Sequence, residues 1–155
     1  MADLITISSS AFGAHTHVVA FRAREALGSP YELEIFLTIP LDEELDPAEA
    51  SGARATLTVE RGKLPIETPF EEKPMHWSGI LLEVSILAEI GQRSLVRAVL
   101  VPRLYRAAQN HHSRIFTGKS VVDIVTEVLE GNGLRGDAFD ASGLGSGYPK
   151  EEHIA

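Results

Sequence analysis

Six histidines are the side chains in this sequence that could most readily bind a metal ion or transfer protons. His15 and His17 are two positions apart, so a strand would place both on one face, whereas the adjacent His111 and His112 would point apart. Neither pair has the i, i+4 spacing of a helical zinc motif, and neither has a third ligand nearby. We therefore predict no metal site and interpret these residues as solvated or capping histidines.

Two glycine-containing stretches resemble nucleotide-binding motifs, but both occur in the wrong context. Gly131-Asn132-Gly133-Leu134-Arg135-Gly136 matches G-x-G-x-x-G, yet these glycines follow a predicted helix, whereas the dinucleotide motif joins a strand to a helix. Gly118-Lys119-Ser120 resembles the end of a P-loop, but Ser113 occupies the position of the first glycine. We predict that no nucleotide cofactor is bound.

Nucleophilic catalysis has no recognisable motif either. The glycine-rich stretch 143–147 displaces its serine by one position from the G-x-S-x-G pattern, and no two carboxylates are paired in an apolar setting. The sequence therefore predicts a protein that is not an enzyme, with no catalytic, cofactor-binding or metal-binding residues. One alternative stays open: a small β-domain hydrolase or carbohydrate-binding module whose site is assembled across strands from His15, His17, His76, His111 and nearby carboxylates.

Composition narrows the possible partners of the chain. Its 155 residues include 14 Lys and Arg against 22 Asp and Glu, a net charge of −8, which disfavours nucleic acid. The absence of cysteine excludes a disulfide scaffold, Cys-based zinc sites and thiol catalysis. The N-terminus has only a short apolar run and no basic region, and no run of about 18 apolar residues occurs. We expect a soluble chain without a Sec signal or membrane insertion.

Alternation of apolar and polar residues predicts strands through the first two-thirds of the chain. The clearest case is Tyr31–Ile39, in which the odd positions are apolar and most even positions are polar. Leu27-Gly28-Ser29-Pro30 supplies the turn that precedes it. The other predicted strands are Val18–Glu25, Ala53–Glu60, Trp77–Ile90 and Arg93–Pro102. The segment from Arg61 to Pro74 is predicted to be a loop because it has three prolines and no apolar period.

Helical signals are few. Asp46 as N-cap and Pro47 at the first helical position predict a short helical turn that ends before Gly52. Ser120 is predicted to cap a helix that runs to about Glu130, with Asp123 completing a capping box and Gly131 as the stop. This helix should pack its apolar stripe over an open part of the sheet; the stripe comprises Val121, Ile124, Val125, Val128 and Leu129.

These elements together predict a mainly β fold (β-rich α+β): a partly open β-barrel with one packed helix and short helical turns. We assign residues 1–130 to this barrel module with its helix. Residues 131–155 are assigned to a glycine-rich linker or tail, because six of the seventeen residues from Gly131 to Gly147 are glycine.

A set of short motifs, in order along nearly the whole chain, resembles the N-terminal hub region of VgrG, the spike protein of type VI secretion systems. The same pattern is typical of the related phage late control D and baseplate hub proteins. The matching stretches begin with a Pro-aromatic strand start and end with a Tyr-Pro-x-x-Glu tail: Ser29-Pro30-Tyr31, His76-Trp77-Ser78-Gly79-Ile80, Pro102-Arg103-Leu104-Tyr105, Arg114-Ile115-Phe116, Ser120-Val121-Val122-Asp123-Ile124 and Tyr148-Pro149-Lys150-Glu151-Glu152.

The resemblance implies a structural component of a contractile injection machine that adapts a trimeric spike to a hexameric tube. Family members continue into a second barrel and a needle, so this chain is expected to be a truncated or detached first module. The implied partners are further copies of the longer parent chain in a trimer, the secreted tube protein ring, and the baseplate and needle segments. The implied location is cytoplasmic assembly followed by export through the machine, without a Sec signal.

Overall fold

A computed structural model describes residues 4–60, 73–144 and 147–154. The chain divides into two compact units, residues 1–102 and 103–155. The first contains β1 (Leu4–Ser9), β2 (His17–Ala26), β3 (Ser29–Pro40), α1 (Pro47–Ala50), β4 (Arg54–Glu60), β5 (Met75–Ile90) and β6 (Arg93–Val101). The second contains α2 (Tyr105–Ala108), β7 (Ile115–Lys119), α3 (Val121–Gly131), a 3₁₀ turn (Gly136–Ala138) and β8 (Glu151–Ile154). None of the helices within the described residues has the length and apolar character needed to cross a membrane.

Antiparallel pairing joins the six strands of the first unit in the order β1-β4-β5-β6-β3-β2. All five strands predicted from alternation are present, with ends within about two residues of those expected. The mainly β fold is therefore confirmed. β1 was not predicted, because six residues hold too little periodic signal; its pairing with β4 establishes it. The predicted loop from Arg61 to Pro74 falls largely outside the described residues.

The core lies on one face of this sheet, and the alternation of β3 explains why. Leu33, Ile35 and Leu37 are fully buried, while Glu34 and Phe36 lie on the outer face. Complete burial of a Leu or Ile side chain stabilises the folded state by about 1.5–3 kcal/mol. These side chains form one core cluster with residues of β4, β5 and β6: Leu57, Leu81, Val96, Ala98 and Leu100. Val18 and Phe21 of β2 are partly buried and pack against this cluster.

Contacts across the interior show that the sheet curls into a half-barrel. Trp77 of β5 packs against Phe21 of β2 with ring centroids 5.8 Å apart, although β6 and β3 separate these strands in the sheet. The indole Nε1 of Trp77 donates a hydrogen bond to Oε1 of Glu25 at 2.7 Å, and the Tyr31 hydroxyl donates to the Ser78 carbonyl at 2.5 Å. Burial raises the pKa of Tyr31, and the negative charge of Glu25 adds to this shift.

The short helix α1 forms as its sequence predicts. Asp46 caps it by accepting a hydrogen bond from the Ala48 backbone N–H at 2.8 Å, and Pro47 occupies the first helical position. The chain leaves through Gly52, whose φ of +86° is a conformation that favours glycine. Gly52 N–H then donates to the Leu81 carbonyl at 2.7 Å, which joins the chain to β5 just before β4 begins.

In the second unit, α3 has the predicted N-terminus but a different C-terminus. Ser120 and Asp123 form the expected reciprocal capping box. Gly131 is the last helical residue rather than the stop; Asn132 is the C-cap and Gly133, with φ +79°, follows it. α3 fully buries none of its residues, and Val121 and Val125 of the apolar stripe are 50% and 47% exposed. Packing of this stripe over the sheet stays a prediction.

The glycine-rich segment after α3 contains more regular structure than a linker. Its end forms β8, which pairs with β7 in the register Ile115↔Ile154 and Phe116↔His153. The compact units divide the chain after residue 102, whereas the division predicted from the sequence lies after residue 130 and stays a prediction. The difference arises because α3 contacts β7, and β7 in turn pairs with a strand from the segment interpreted as a tail.

Candidate functional site: the acidic end of the sheet

The histidines of the alternative enzyme hypothesis have separate surroundings. Nδ1 of His15 lies 2.7 Å from Oε1 of Glu43, whereas Nδ1 of His76 lies 3.0 Å from the Thr58 hydroxyl. His15 lies in the turn before β2, so it does not share a strand face with His17 as the spacing suggested. Within the described residues, no group of three or more His, Cys, Asp or Glu is arranged to hold a metal ion.

The two nucleotide-motif lookalikes also have structural roles. Gly131 is the last residue of α3 and Gly133 lies in the turn after it, so these glycines end an α-helix rather than joining a strand to the start of one. Ser120 is occupied as the N-cap of α3, accepting from Asp123 N–H at 3.2 Å. The carboxylate of Asp123 accepts hydrogen bonds from the backbone and side chain of Ser120, and these bonds hold the pKa of Asp123 below its ordinary value.

A different feature, the acidic end of the sheet, results from the topology. Because all neighbouring strands are antiparallel, three connections must lie at the same end: residues 10–16 between β1 and β2, 41–53 between β3 and β4, and 91–92 between β5 and β6. These connections contain five carboxylates and no Lys or Arg: Asp42, Glu43, Glu44, Asp46 and Glu49. We call these three connections, with the strand residues Pro40, Ile90 and Arg93 that adjoin them, the acidic end.

Glu43 holds two of these connections together. Its Oε1 accepts hydrogen bonds from the His15 backbone N–H at 3.1 Å and, in the appropriate tautomer, from His15 Nδ1 at 2.7 Å. A Cβ at Gly13 would lie 1.9 Å from Oε2 of Glu43, so a larger residue there would displace the Glu43 carboxylate. Oε2 is buried without a hydrogen-bond partner in the described structure. The carboxylate therefore acts as a clamp rather than as a free surface charge.

Arg93 extends this clamp to the third connection. Its Nη2 donates to the backbone carbonyls of His15 at 2.6 Å and Thr38 at 2.8 Å. Next to it, the Leu41 N–H donates to the Gln92 carbonyl at 3.0 Å. The three connections are thus joined to one another by hydrogen bonds, so they present a fixed surface.

Apolar side chains are exposed on this fixed surface. Leu41 is 47% exposed and Ile90 is 66% exposed. Pro40 and Ile90 are the Cα partners of Arg93 on either side of β6, which places them in one row across the outer face. A hollow of about 540 Å³ opens beside Pro40 and is also lined by Leu41, Asp42 and Arg93. A separate hollow of about 420 Å³ at this end is lined by Glu44, Asp46 and Glu49 among others.

Further along the outer face, a line of alternating charges crosses four strands. Arg22 of β2 donates to Glu34 of β3 at 2.8 Å, and Arg97 of β6 donates to Glu34 at 2.6 Å and to Glu83 of β5 at 3.0 Å. The hydrogen bond from Arg97 lowers the pKa of Glu34, with Arg22 adding to the effect. The same contact with Glu34 raises the pKa of Arg97. These opposite charges pair with one another. They therefore link β2, β3, β6 and β5 and leave no net charge to attract a partner.

Sequence reasoning did not find the acidic end. The residues 42–49 were interpreted only as a helical turn, although their run of carboxylates without a basic residue was visible. What the sequence could not supply was the topology, which brings residues 10–16 and 91–92 beside that run.

Comparison with known proteins gives consistent matches. The profile of a family described as phage tail baseplate hub (GPD) matches residues 24–155. The type VI secretion system spike protein VgrG4b of Pseudomonas aeruginosa is 28% identical over 137 residues, which are 88% of this chain and 15% of that protein.

A solved structure shows the same fold. It is the Escherichia coli c3393 protein, described as a component of the type VI secretion system that is structurally similar to the bacteriophage T4 tail proteins gp27 and gp5. The two structures share a TM-score of 0.67 at 17% identity, over 96% of this chain and 38% of that chain. The chain thus spans well under half the length of either relative.

Proposed function

The chain belongs to the phage tail baseplate hub family, and on that premise we propose that it is the first β-module of a spike hub that adapts a trimeric spike to a hexameric tube. It is a structural protein of the kind found in type VI spikes and phage baseplate hubs. The finer role, in which this module contacts a ring of tube subunits, is the part that we propose.

The observation that carries the proposal is the family match across 24–155, which covers most of the first compact unit and all of the second. In the proposed assembly, three parent chains each contribute two similar barrels, and the six barrels match the six-fold tube. A curled sheet suits this task, because its edges β1 and β2 and its two ends can each meet a neighbouring subunit.

The proposed location follows from the same role. The module would assemble with its parent in the cytoplasm and leave the cell as part of the injected spike, without a Sec signal. The named relative is a type VI secretion spike protein, which supports this route. The separate surroundings of His15 and His76 give no support to the hydrolase alternative.

Stoichiometry tests the proposal. The full product of the gene that encodes this chain, mixed with the tube protein of the same organism, should give a complex of three hub chains and one six-subunit ring by native mass spectrometry. Deleting the gene should stop release of tube protein into the medium. A hub of any other symmetry, or a tube protein that is still released normally, would contradict the adaptor role.

A further inference from the structure

We infer that the acidic end is the face by which this module binds its protein partner, and that the partner's surface carries Lys or Arg side chains around an apolar contact. The inference rests on the proposed function, which supplies the tube ring as the protein to test. It adds which end of the sheet makes the contact and what chemistry the other surface must have.

Exposed apolar residues lie on the acidic end. Leu41 and Ile90 leave about half or more of their surface in water, although the connections that carry them are tied down by hydrogen bonds. Clustered exposed apolar side chains on a rigid surface are typical of an interaction site. The hollow beside Leu41 gives an incoming apolar side chain a place to bury surface.

The connections of the acidic end are also held rigidly. Glu43, His15 and Arg93 join three connections before any partner arrives, through bonds of 2.6 to 3.1 Å. A surface that is already ordered loses little conformational entropy on binding, and such preorganisation favours affinity. The acidic end therefore has the properties of a prepared contact surface.

Charge identifies the partner. Of the five carboxylates, Glu43 is occupied by His15 and Asp46 by the helix N-terminus. The carboxylates of Glu44 and Glu49 have no ion-pair or hydrogen-bond partner in the part of the chain that the structure describes, and both residues line the 420 Å³ hollow. A Lys or Arg side chain that enters this hollow would gain charge-assisted hydrogen bonds with both.

Other occupants fit less well. Nucleic acid would be repelled by the five carboxylates, because the basic side chain of Arg93 at this end is already hydrogen-bonded to the His15 and Thr38 carbonyls. A second copy bound through the same end would place like charges against one another across a two-fold axis. A basic protein surface is the occupant that complements both the apolar and the acidic parts.

The test compares three double variants of this chain for binding to purified tube protein. Glu44→Gln with Glu49→Gln removes the two unpaired charges that line the 420 Å³ hollow but leaves the clamp and the helix cap. Leu41→Ser with Ile90→Ser removes the apolar contact. The matched control is Leu27→Ser with Glu60→Gln, which changes one exposed apolar residue and one exposed carboxylate at the opposite end of the sheet. Thermal unfolding of each variant confirms that it is folded.

We expect each of the first two variants to bind the tube protein about tenfold more weakly, and the control to bind within twofold of the unchanged chain. Binding by the unchanged chain should weaken as salt rises, and the Glu44/Glu49 variant should lose most of that dependence. If the unchanged chain binds and both variants bind equally well, the inference is wrong while the proposed function stands.

Two further outcomes also count against the inference. An unchanged chain that does not bind tube protein overturns the proposed function and the inference together. A rise in melting temperature with calcium or magnesium that Glu44→Gln/Glu49→Gln abolishes would show that the hollow is a cation site instead.

Discussion

The two compact units of this chain are stabilised in different ways. The first buries a continuous set of Leu, Ile and Val side chains by curling one sheet on itself, and several of them have no exposed surface at all. The second buries Phe116, Leu134 and Ser120, and its main helix buries none of its residues. A sheet that closes over its own apolar face supplies its own core, whereas α3 has half-buried apolar residues and a capping box at its N-terminus.

The largest expected effect comes from cutting into the core of the first unit. Leu57→Ala should lower the free energy of unfolding by about 2–5 kcal/mol, because Leu57 is fully buried and leaves a cavity. The single tryptophan, Trp77, reports on this unit in denaturant unfolding. Ile124→Ala in the half-buried stripe of α3 is the comparison, and it should cost less than half as much. Equal losses would erase the contrast between the units.

A smaller loss is expected from adding one methyl group rather than removing several. In Gly79→Ala the new Cβ would lie 1.9 Å from the Val101 carbonyl oxygen, a backbone atom that cannot move without disturbing β6. We expect destabilisation of about 1–3 kcal/mol, the usual range for overpacking. Gly143→Ala, where nothing lies within 4 Å, is the control and should leave stability nearly unchanged. A neutral Gly79→Ala would show that the sheet tolerates repacking there.

In the second unit, the stability of α3 should depend on the N-cap residue Ser120 more than on the exposed side chains of the helix. Ser120→Ala abolishes the bond to the Asp123 N–H and should destabilise α3 by about 1 kcal/mol. Amide hydrogen exchange in the first turn of α3 is the measurement, and it should accelerate. If exchange there is unaffected, then tertiary contacts rather than the capping box hold the helix.

The smallest effect, and one that depends on pH, is expected for the charge line of the first unit. Because the folded-state pKa of Glu34 lies below its ordinary value, its contribution to stability is present above about pH 5 and is lost as pH falls through that lowered pKa. Glu34→Gln should therefore be less stable than the unchanged protein near neutral pH and equal to it in strong acid. A difference that persists in acid would mean that packing, not charge, explains it.

Much of the first unit could be predicted from its sequence, because its strands are amphipathic. The alternation of apolar and polar residues predicts the five strands from β2 to β6, and Asp46 with Pro47 predicts α1. What alternation cannot give is the sheet order: nothing local indicates that β3 pairs with β6 rather than with β4. For the same reason the acidic end, which exists only through that order, was missed.

Local sequence patterns predict less of the structure in the second unit. They gave the start of α3, since a capping box needs only Ser120 and Asp123. They did not give β8, because its pairing with β7 is set by residues some 35 positions away, such as Ile115 and Ile154. The apolar stripe of α3 suggested burial, but periodicity only shows which face is apolar and does not show whether anything covers it. The boundary at residue 130 remains a prediction.

The placement of β3 between β2 and β6 has a consequence for synthesis on the ribosome. β2 and its partner β3 have both been made once residue 40 has emerged, but the second partner of β3 begins only at Arg93. Until then the apolar face of these two strands has no sheet to join, and closing so long a loop is slow. The emerging chain therefore passes through a stage in which Leu33, Ile35 and Leu37 are open to chaperones or to neighbouring nascent chains. A pause in translation before residue 93 should lower the yield of folded protein more than a pause after residue 102.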